Sequence, residues 1–582
     1  MALVHFIRAR QTAGQEQSLT WALLLLSLWL LFHSLGSAAL FEPDEGRHAE
    51  AAREMLVLDD WITPHYNFVP RLEKPPLFHW LAAFSYELFG VSEASARLPS
   101  ALAAFGVALL TGAFSWSASR AGGARWSVLV LLTCVETLAL ARTAIPDMLL
   151  TFFITFSLCS FFWASQAERK WRRNAFYLTM YGAMGAAVLT KGLIGFVLPG
   201  LVITAYLVVG RRWSLVREMK LATGLALLLA VAAPWYWLAE IRNPGYIEYF
   251  FWEEHLLRFL TPHFDRTQPW YYFVVVAVVG FLPWSVMLPW AAAEWVRQDR
   301  DDQTAYLWLW VFVPLLFFSL SNAKLPHYIL PIFPPLSTLT GRFLAQLSGA
   351  RSHSRLFALP WLVFLLPLLG LAVGFSYPAI LTASLQRPLA RVSEIVSSAP
   401  VVSGLLVSLI AWLLITFVGM RDDRRYLVFC AAFALFSFFC VEPLRTQISL
   451  RRSSKELAAK SASVVHPGDW VALYDAQLTS LPFYLQTQGP LRIVQAEGKE
   501  KVMGSFYAAR RLQEAPDPDP IVVHYGEFSD LWRTAGRRLL VFVPEKQLYR
   551  FLRNTQDGAV EIVKAGDVLL VGNSEANGGT EE

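Results

Sequence analysis

Apolar runs long enough to cross a bilayer recur along most of this chain, separated by short polar connections. The length expected of a spanning helix gives about thirteen of them. They fall near Thr20–Leu40, Leu98–Ala118, Trp126–Ala141, Met148–Ala164, Ala175–Thr190, Leu193–Val209 and Leu221–Leu238. The rest lie near Trp270–Ala292, Ala305–Leu320, Tyr328–Leu344, Phe357–Phe375, Val401–Met420 and Tyr426–Val441. From about Glu442 the pattern changes. Trp470–Tyr474, Leu491–Val494, Ile521–His524, Leu539–Val543 and Val568–Val571 read as short strands, with helical patterns over Ser454–Ala462, Phe528–Arg537 and Glu545–Asn554 between them. The fold class expected is a polytopic α-helical membrane protein over residues 1–445, followed by an α/β domain over 446–582 whose tail is polar and disordered.

The basic residues orient this map. With Arg8 and Arg10 in the cytoplasm, the even-numbered connections fall inside. Each carries positive charge: Arg120/Arg125, Glu168–Arg173, Arg211/Arg212/Arg217/Lys220, Arg297/Arg300, Arg342/Arg351/Arg355 and Arg421/Arg424/Arg425. The other connections, and with an odd span count the C-terminal domain, then lie outside the cytoplasm. Ser37-Ala38-Ala39 resembles a signal-peptidase site. The first run is nevertheless long enough to span, and it is expected to stay attached.

Composition supports the membrane class. Of 582 residues, 55% are hydrophobic and 16% charged, well below the quarter usual in soluble proteins. The net charge of +5 is small and follows the topology, so no nucleic-acid partner is expected. The partners expected are membrane lipids. Cys134, Cys159, Cys430 and Cys440 all lie in apolar runs, with no zinc spacing or disulfide framework.

Candidate chemistry gathers on the outer connections, above all in the loop 41–97, which is expected to carry juxtamembrane helices. Asp44, Glu45 and Arg47 open a stretch in which Ala49, Ala52, Met55 and Leu56 recur at helical spacing, as in an amphipathic helix on the membrane surface. Acids at a helix start favour its N-terminus, which accounts for Glu45. A second acid at the bilayer edge is costly, which favours function for Asp44. Glu73 and Lys74 precede Pro75-Pro76. Such a lysine either snorkels to lipid headgroups or holds a substrate phosphate. Asp147 follows Pro146 at another outer helix start, and Lys191 stands between two apolar runs. Arg258 closes the aromatic and acidic run from Tyr249, and its fork suits a phosphate. Lys324 and Tyr328 end a further outer loop. Glu73, Glu253 and His255 could hold a divalent, zinc-like metal, although a hydrogen-bonded interfacial histidine is the simpler reading and no cofactor is required.

These residues carry a family resemblance. ProAspGluGlyArgHisAlaGluAlaAlaArgGluMet, AspTrpIleThrProHis, GluLysProPro and AlaArgLeuPro resemble the first outer loop of the aminoarabinose transferases, the ArnT enzymes of the GT-C glycosyltransferases. LeuThrLysGly, PhePheTrpGluGluHis and LysLeuProHisTyrIleLeuPro continue the match in order. The resemblance covers nearly the whole chain and is dense from Phe41 to Pro335. It implies an inner-membrane GT-C enzyme with its active site in the periplasm. Such an enzyme takes 4-amino-4-deoxy-L-arabinose from undecaprenyl phosphate, the sugar donor, and passes it to lipid A phosphates, the acceptor. Catalytic roles would fall to Asp44, Glu45 and Asp147, and substrate binding to Arg47, Lys74, Lys191, Arg258, Lys324 and Tyr328. Other GT-C chemistry with a different sugar or a protein acceptor, a lipid transporter, and a sensing module read by the C-terminal domain remain the competing readings. The transporter reading is weakened because the charged candidates sit at outer helix ends and not in mid-span.

Overall fold

The computed structural model describes residues 2–349 and 422–573. Excepted are 262–266, 298–300, 467, 500, 515–518, 535 and 556–558, and a few isolated positions between 406 and 413 are added. The runs Phe357–Phe375 and most of Val401–Met420 lie outside the described residues. The chain divides into two units. One comprises Met1–Leu35, Ser100–Ala233 and His255–Arg445; the other comprises Gly36–Pro99, Pro234–Glu254 and Thr446–Glu582. The charged loop after the first helix therefore groups with the C-terminal segment, not with the apolar helices as the sequence division at 445/446 had it.

The first unit is helical. Among the described residues five helices are long and apolar enough to cross a membrane: Glu93–Ser117, Asp147–Gln166, Leu221–Arg242, Asp302–Leu320 and Tyr426–Arg451. Gln17–Phe32 and Ile194–Val209 are shorter apolar helices. Two expected spans are broken. Gly122–Thr133 and Val135–Ala141 meet at 69°, and Tyr272–Gly280 and Trp284–Glu294 at 103°. Pro283 supplies the second break, since it cannot continue the ladder. The two breaks are tied together: Val135 N–H donates to the Leu282 carbonyl at 3.0 Å, and the Trp284 indole donates to Thr133 Oγ1 at 2.8 Å. The four cysteines are free and buried.

The second unit holds a six-stranded sheet from the C-terminal segment, ordered β5-β4-β3-β6-β8-β7. Its strands are β3 (Trp470–Tyr474), β4 (Arg492–Gln495), β5 (Val522–His524), β6 (Leu539–Pro544), β7 (Val560–Ala565) and β8 (Val568–Gly572). β3 pairs in parallel with β4 and β6, and β4 with β5, while β8 is antiparallel to β6 and β7. The parallel centre explains the unbroken apolar runs at β3 and β6, which are covered on both faces. Trp470, Ala472 and Tyr474 pack with Phe528, Trp532 and Phe551 on one face; Val471 and Leu473 pack with Leu457 and Leu481 on the other.

The loop of this unit begins with the helix Asp44–Leu58, followed by a hairpin of β1 (His65–Tyr66) and β2 (Val69–Pro70) and the helix Leu77–Phe89. The hairpin turn Asn67-Phe68 has both residues at positive φ, 55° and 61°, the pattern of a tight two-residue hairpin. The Asp44–Leu58 helix departs from the amphipathic surface helix expected. Its charged residues Glu45, Arg47, Glu50, Arg53 and Glu54 are buried along with its alanines. The C-terminal segment covers the polar side. Thr479 Oγ1 donates to the Pro43 carbonyl, Arg53 donates to the Thr487 carbonyl, and Glu42 accepts from Ser454 and Ser480. Gly46 permits this approach, because a Cβ there would come within 2.6 Å of the Ser480 backbone nitrogen.

Candidate functional site

In the second unit the site is built from the loop entry upward. Arg97 is fully buried and grips both oxygens of Glu45, at 2.8 Å from Nε and 2.9 Å from Nη2. It also donates to the Ala38 and Ala39 carbonyls, and Glu45 accepts from the Phe41 N–H. This clamp fixes where the Asp44–Leu58 helix begins. It leaves Glu45, placed among the reacting acids by the family resemblance, with its carboxylate fully engaged in the fold. Asp44 is the open one of the two acids. Its side chain is 49% exposed and stands 3.9 Å from the Arg47 guanidinium.

Cations collect beside it. Arg47 is buried next to Arg71, and burial, then the Arg71 charge, bring its guanidinium down to about 10. Arg71 Nε stands 3.2 Å from Glu73. Arg47 Nε and Arg71 Nη1 are nonetheless buried with no hydrogen-bond acceptor. Unsatisfied buried donors are costly, and two guanidinium N–H groups left open beside one another suit an anion. Lys74 donates to Glu254 at 3.0 Å and to the Glu73 carbonyl at 2.8 Å, and remains a quarter exposed. The positive field reaches His79, hydrogen-bonded to His48 at 3.0 Å. Burial first, then Arg71 and Lys74, lower its imidazole to about 3 and keep it neutral.

The first unit carries a second cluster. Asp147 opens the helix Asp147–Gln166 and Lys191 ends the helix Lys170–Lys191, each at the terminus its charge favours. The two form a close, largely buried ion pair. His327 Nε2 lies 3.9 Å from the same carboxylate, and the Lys191 ammonium sits 4.9 Å above the Tyr328 ring. Arg258 Nη2 is 3.4 Å from the Tyr328 hydroxyl. Lys324 is buried, donates to the Gln268 carbonyl at 3.0 Å, and is lowered by that burial.

Glu253, suggested as a metal ligand, and its neighbour Glu254 take different partners. Glu254 partners Lys74, whereas Glu253 pairs with Arg510 at 2.8 Å. The segment Tyr249–Leu257 is a π-helix, so the directions of these adjacent glutamates do not follow a 3.6-residue phase. Sequence reasoning passed over Arg71 and His327, although each stands within three residues of a group singled out. The suggested metal set is not assembled. Glu73 stands beside Arg71 and Glu253 beside Arg510, and among the described residues no three His, Cys, Asp or Glu side chains stand within metal-binding reach.

Comparison with known proteins gives the family. Residues 18–250 match the model for dolichyl-phosphate-mannose-protein mannosyltransferases. The undecaprenyl phosphate-α-4-amino-4-deoxy-L-arabinose arabinosyl transferase of Aeromonas salmonicida is 33% identical over 70% of this chain and 73% of its own length. That of Sodalis glossinidius is 34% identical over 56% of this chain, and the match spans 59% of the relative. The crystal structure of ArnT from Cupriavidus metallidurans bound to undecaprenyl phosphate superposes with a TM-score of 0.80 at 27% identity, covering 95% of this chain and 97% of that one. With its helical architecture, its charged loop after the first helix and these relatives, the chain belongs to the family of undecaprenyl phosphate-α-4-amino-4-deoxy-L-arabinose arabinosyl transferases.

Proposed function

We propose that this protein moves 4-amino-4-deoxy-L-arabinose from undecaprenyl phosphate to phosphate groups of lipid A at the periplasmic face of the bacterial inner membrane. The observation that carries the reading is the group Asp44, Arg47, Arg71 and Lys74, an open carboxylate and three cations, of which Arg47 and Arg71 each keep a buried N–H donor without an acceptor. The relatives named for this transfer, and the Cupriavidus protein bound to undecaprenyl phosphate, support it. The positive residues of the short connections support about thirteen spans, with the C-terminal α/β segment outside the cytoplasm.

In the reaction an acceptor phosphate oxygen attacks the anomeric carbon of the sugar. The bond from that carbon to the carrier phosphate oxygen breaks, and its electron pair stays on the carrier phosphate. Lys74 stabilises that charge where it develops, and Arg47 supports it. Arg258, Tyr328, Lys191 and Lys324 supply phosphate-binding donors in the other unit. A phosphate monoester has a second pKa of about 6, so the acceptor arrives ionised and needs no strong base. Asp44 is therefore assigned to orienting the sugar and its ammonium.

The test is lipid A mass in cells that make the aminoarabinose carrier but lack their own transferase. Wild type should add one aminopentose per modified phosphate, and Asp44→Asn, at equal membrane expression, should remove at least nine-tenths of it, roughly the loss of one charge-assisted contact. An unchanged lipid A mass with wild type overturns the reading, and a transporter would give that result. Protein cations take the role of a metal in this scheme, so purified enzyme treated with a strong chelator should keep its transfer rate. Loss on chelation and rescue by zinc would bring the metal back.

A further inference from the structure

The carboxyl edge of the C-terminal sheet bears a feature that the transfer chemistry does not use. From β3 the chain runs outward through β4 to β5, then returns to place β6 on the other side of β3. In open parallel sheets such a reversal of strand order is where ligands bind, beyond the carboxyl ends of the strands. Asp475 is the first residue after β3 at this point, and it is held at φ +50°, an uncommon conformation for a residue with a side chain. Its carboxylate gathers groups from three other segments. Lys499 forms a close ion pair, the Tyr525 hydroxyl donates at 3.2 Å, the Gln547 amide at 3.1 Å, and Arg550 stands at 3.6 Å.

The carboxylate is 13% exposed, but Lys499 and Arg550 are 42% and 49% exposed. A lysine and an arginine together offer far more N–H donors than one carboxylate accepts. The surplus faces solvent, next to the Tyr525 ring, which lies under Arg550 at 5.9 Å and stacks on Tyr474 at 5.3 Å. We propose that this edge binds an anionic saccharide, with phosphate on Lys499 and Arg550, where Asp475 holds the two cations, and the sugar against the Tyr525 ring. The ligand class that fits the transfer reading, on which this choice rests, is the phosphorylated glucosamine head of the acceptor. Lys499 also leads into the segment whose Gly504 lies against Arg47, where a Cβ would come within 2.6 Å of Nη2. An acceptor held at the sheet edge thus engages the same chain segment that rests on Arg47.

The test uses the full-length protein in nanodiscs and a soluble bisphosphorylated glucosamine disaccharide, with binding read by calorimetry. Arg550→Ala and Lys499→Ala alter exposed side chains and should each weaken probe binding about tenfold, as for one charge-assisted contact. Each should raise the KM for lipid A by a similar factor, with kcat and the donor KM unchanged. The unphosphorylated disaccharide should bind far more weakly to wild type. Equal binding of the two sugars overturns the ligand class. Wild-type probe binding and acceptor KM in both variants, or a loss confined to kcat, overturns the site. If wild type binds the probe through these residues but transfers no aminopentose, the transfer reading fails and the site stands. If it transfers with an unaltered acceptor KM in the variants, the reverse holds.

Discussion

Lys74→Ala is expected to lower aminoarabinose transfer about 10²- to 10³-fold, the usual loss when one preorganised donor to developing charge is removed. The ammonium stands at the start of the Leu77–Phe89 helix, where Pro75 and Pro76 fix the chain, and it is held by Glu254 and the Glu73 carbonyl. Removing it also takes the Lys74 ammonium away from Glu254, which is 3% exposed. Removing the cation of a buried ion pair is itself destabilising. The double variant Lys74→Ala/Glu254→Gln separates the two effects. It should recover the thermal stability lost in the single variant and none of the activity. Carrier binding should fall together with the rate. A variant that loses transfer while binding undecaprenyl phosphate as wild type does would show that Lys74 is not a phosphate clamp.

The contrast between Lys74 and its partner shows what the sequence could reveal. A lysine in front of two prolines, on a charged stretch between apolar runs, is costly enough to stand out by itself. Glu254 has no such mark, because adjacent glutamates differ only in phase and the π-helix alters that phase. Hydropathy likewise locates Trp270–Ala292 as apolar. A window average does not register that the chain folds back by 103° near Pro283. The central strands β3 and β6 were legible because a parallel strand covered on both faces is apolar without interruption. β7, with burial confined to its last residue, gave no run to read.

The helix after Pro43 misled for a different reason. Its spacing of alanines against charges is what a surface helix would have, and only the long-range partners reverse the reading. Arg97 lies 52 residues from Glu45, and Ser480 lies further still from Gly46. No local pattern announces that a charged face will be covered by chain from the C-terminal end. The same partners explain why the two neighbouring acids separate into a structural one and an open one.

Arg97→Ala is therefore expected to destabilise the protein by about 3–5 kcal/mol, the range for breaking a buried pair by removing one partner. It removes the cation from the Glu45 carboxylate, which is 1% exposed, and the guanidinium donors from the Ala38 and Ala39 carbonyls. Glu45→Gln should cost less, since the amide oxygen can still accept from Phe41 N–H and from one arm of Arg97. Thermal unfolding in detergent, with limited proteolysis of the loop 36–99, measures both. Rate per folded molecule is the deciding quantity for Glu45. As a positioning residue, Glu45→Gln should keep kcat within about tenfold at a temperature where the variant is folded, because Asp44 retains its place on the helix. A fully stable Glu45→Gln that loses transfer about 10²-fold or more would return Glu45 to the reacting groups. An Arg97→Ala protein that melts with wild type would remove the clamp. Because Arg97 holds both the helix start and the strand of chain entering it, its loss should also loosen Asp44. Transfer should then fall in Arg97→Ala even among molecules that remain folded, and Glu45→Gln should not share that loss.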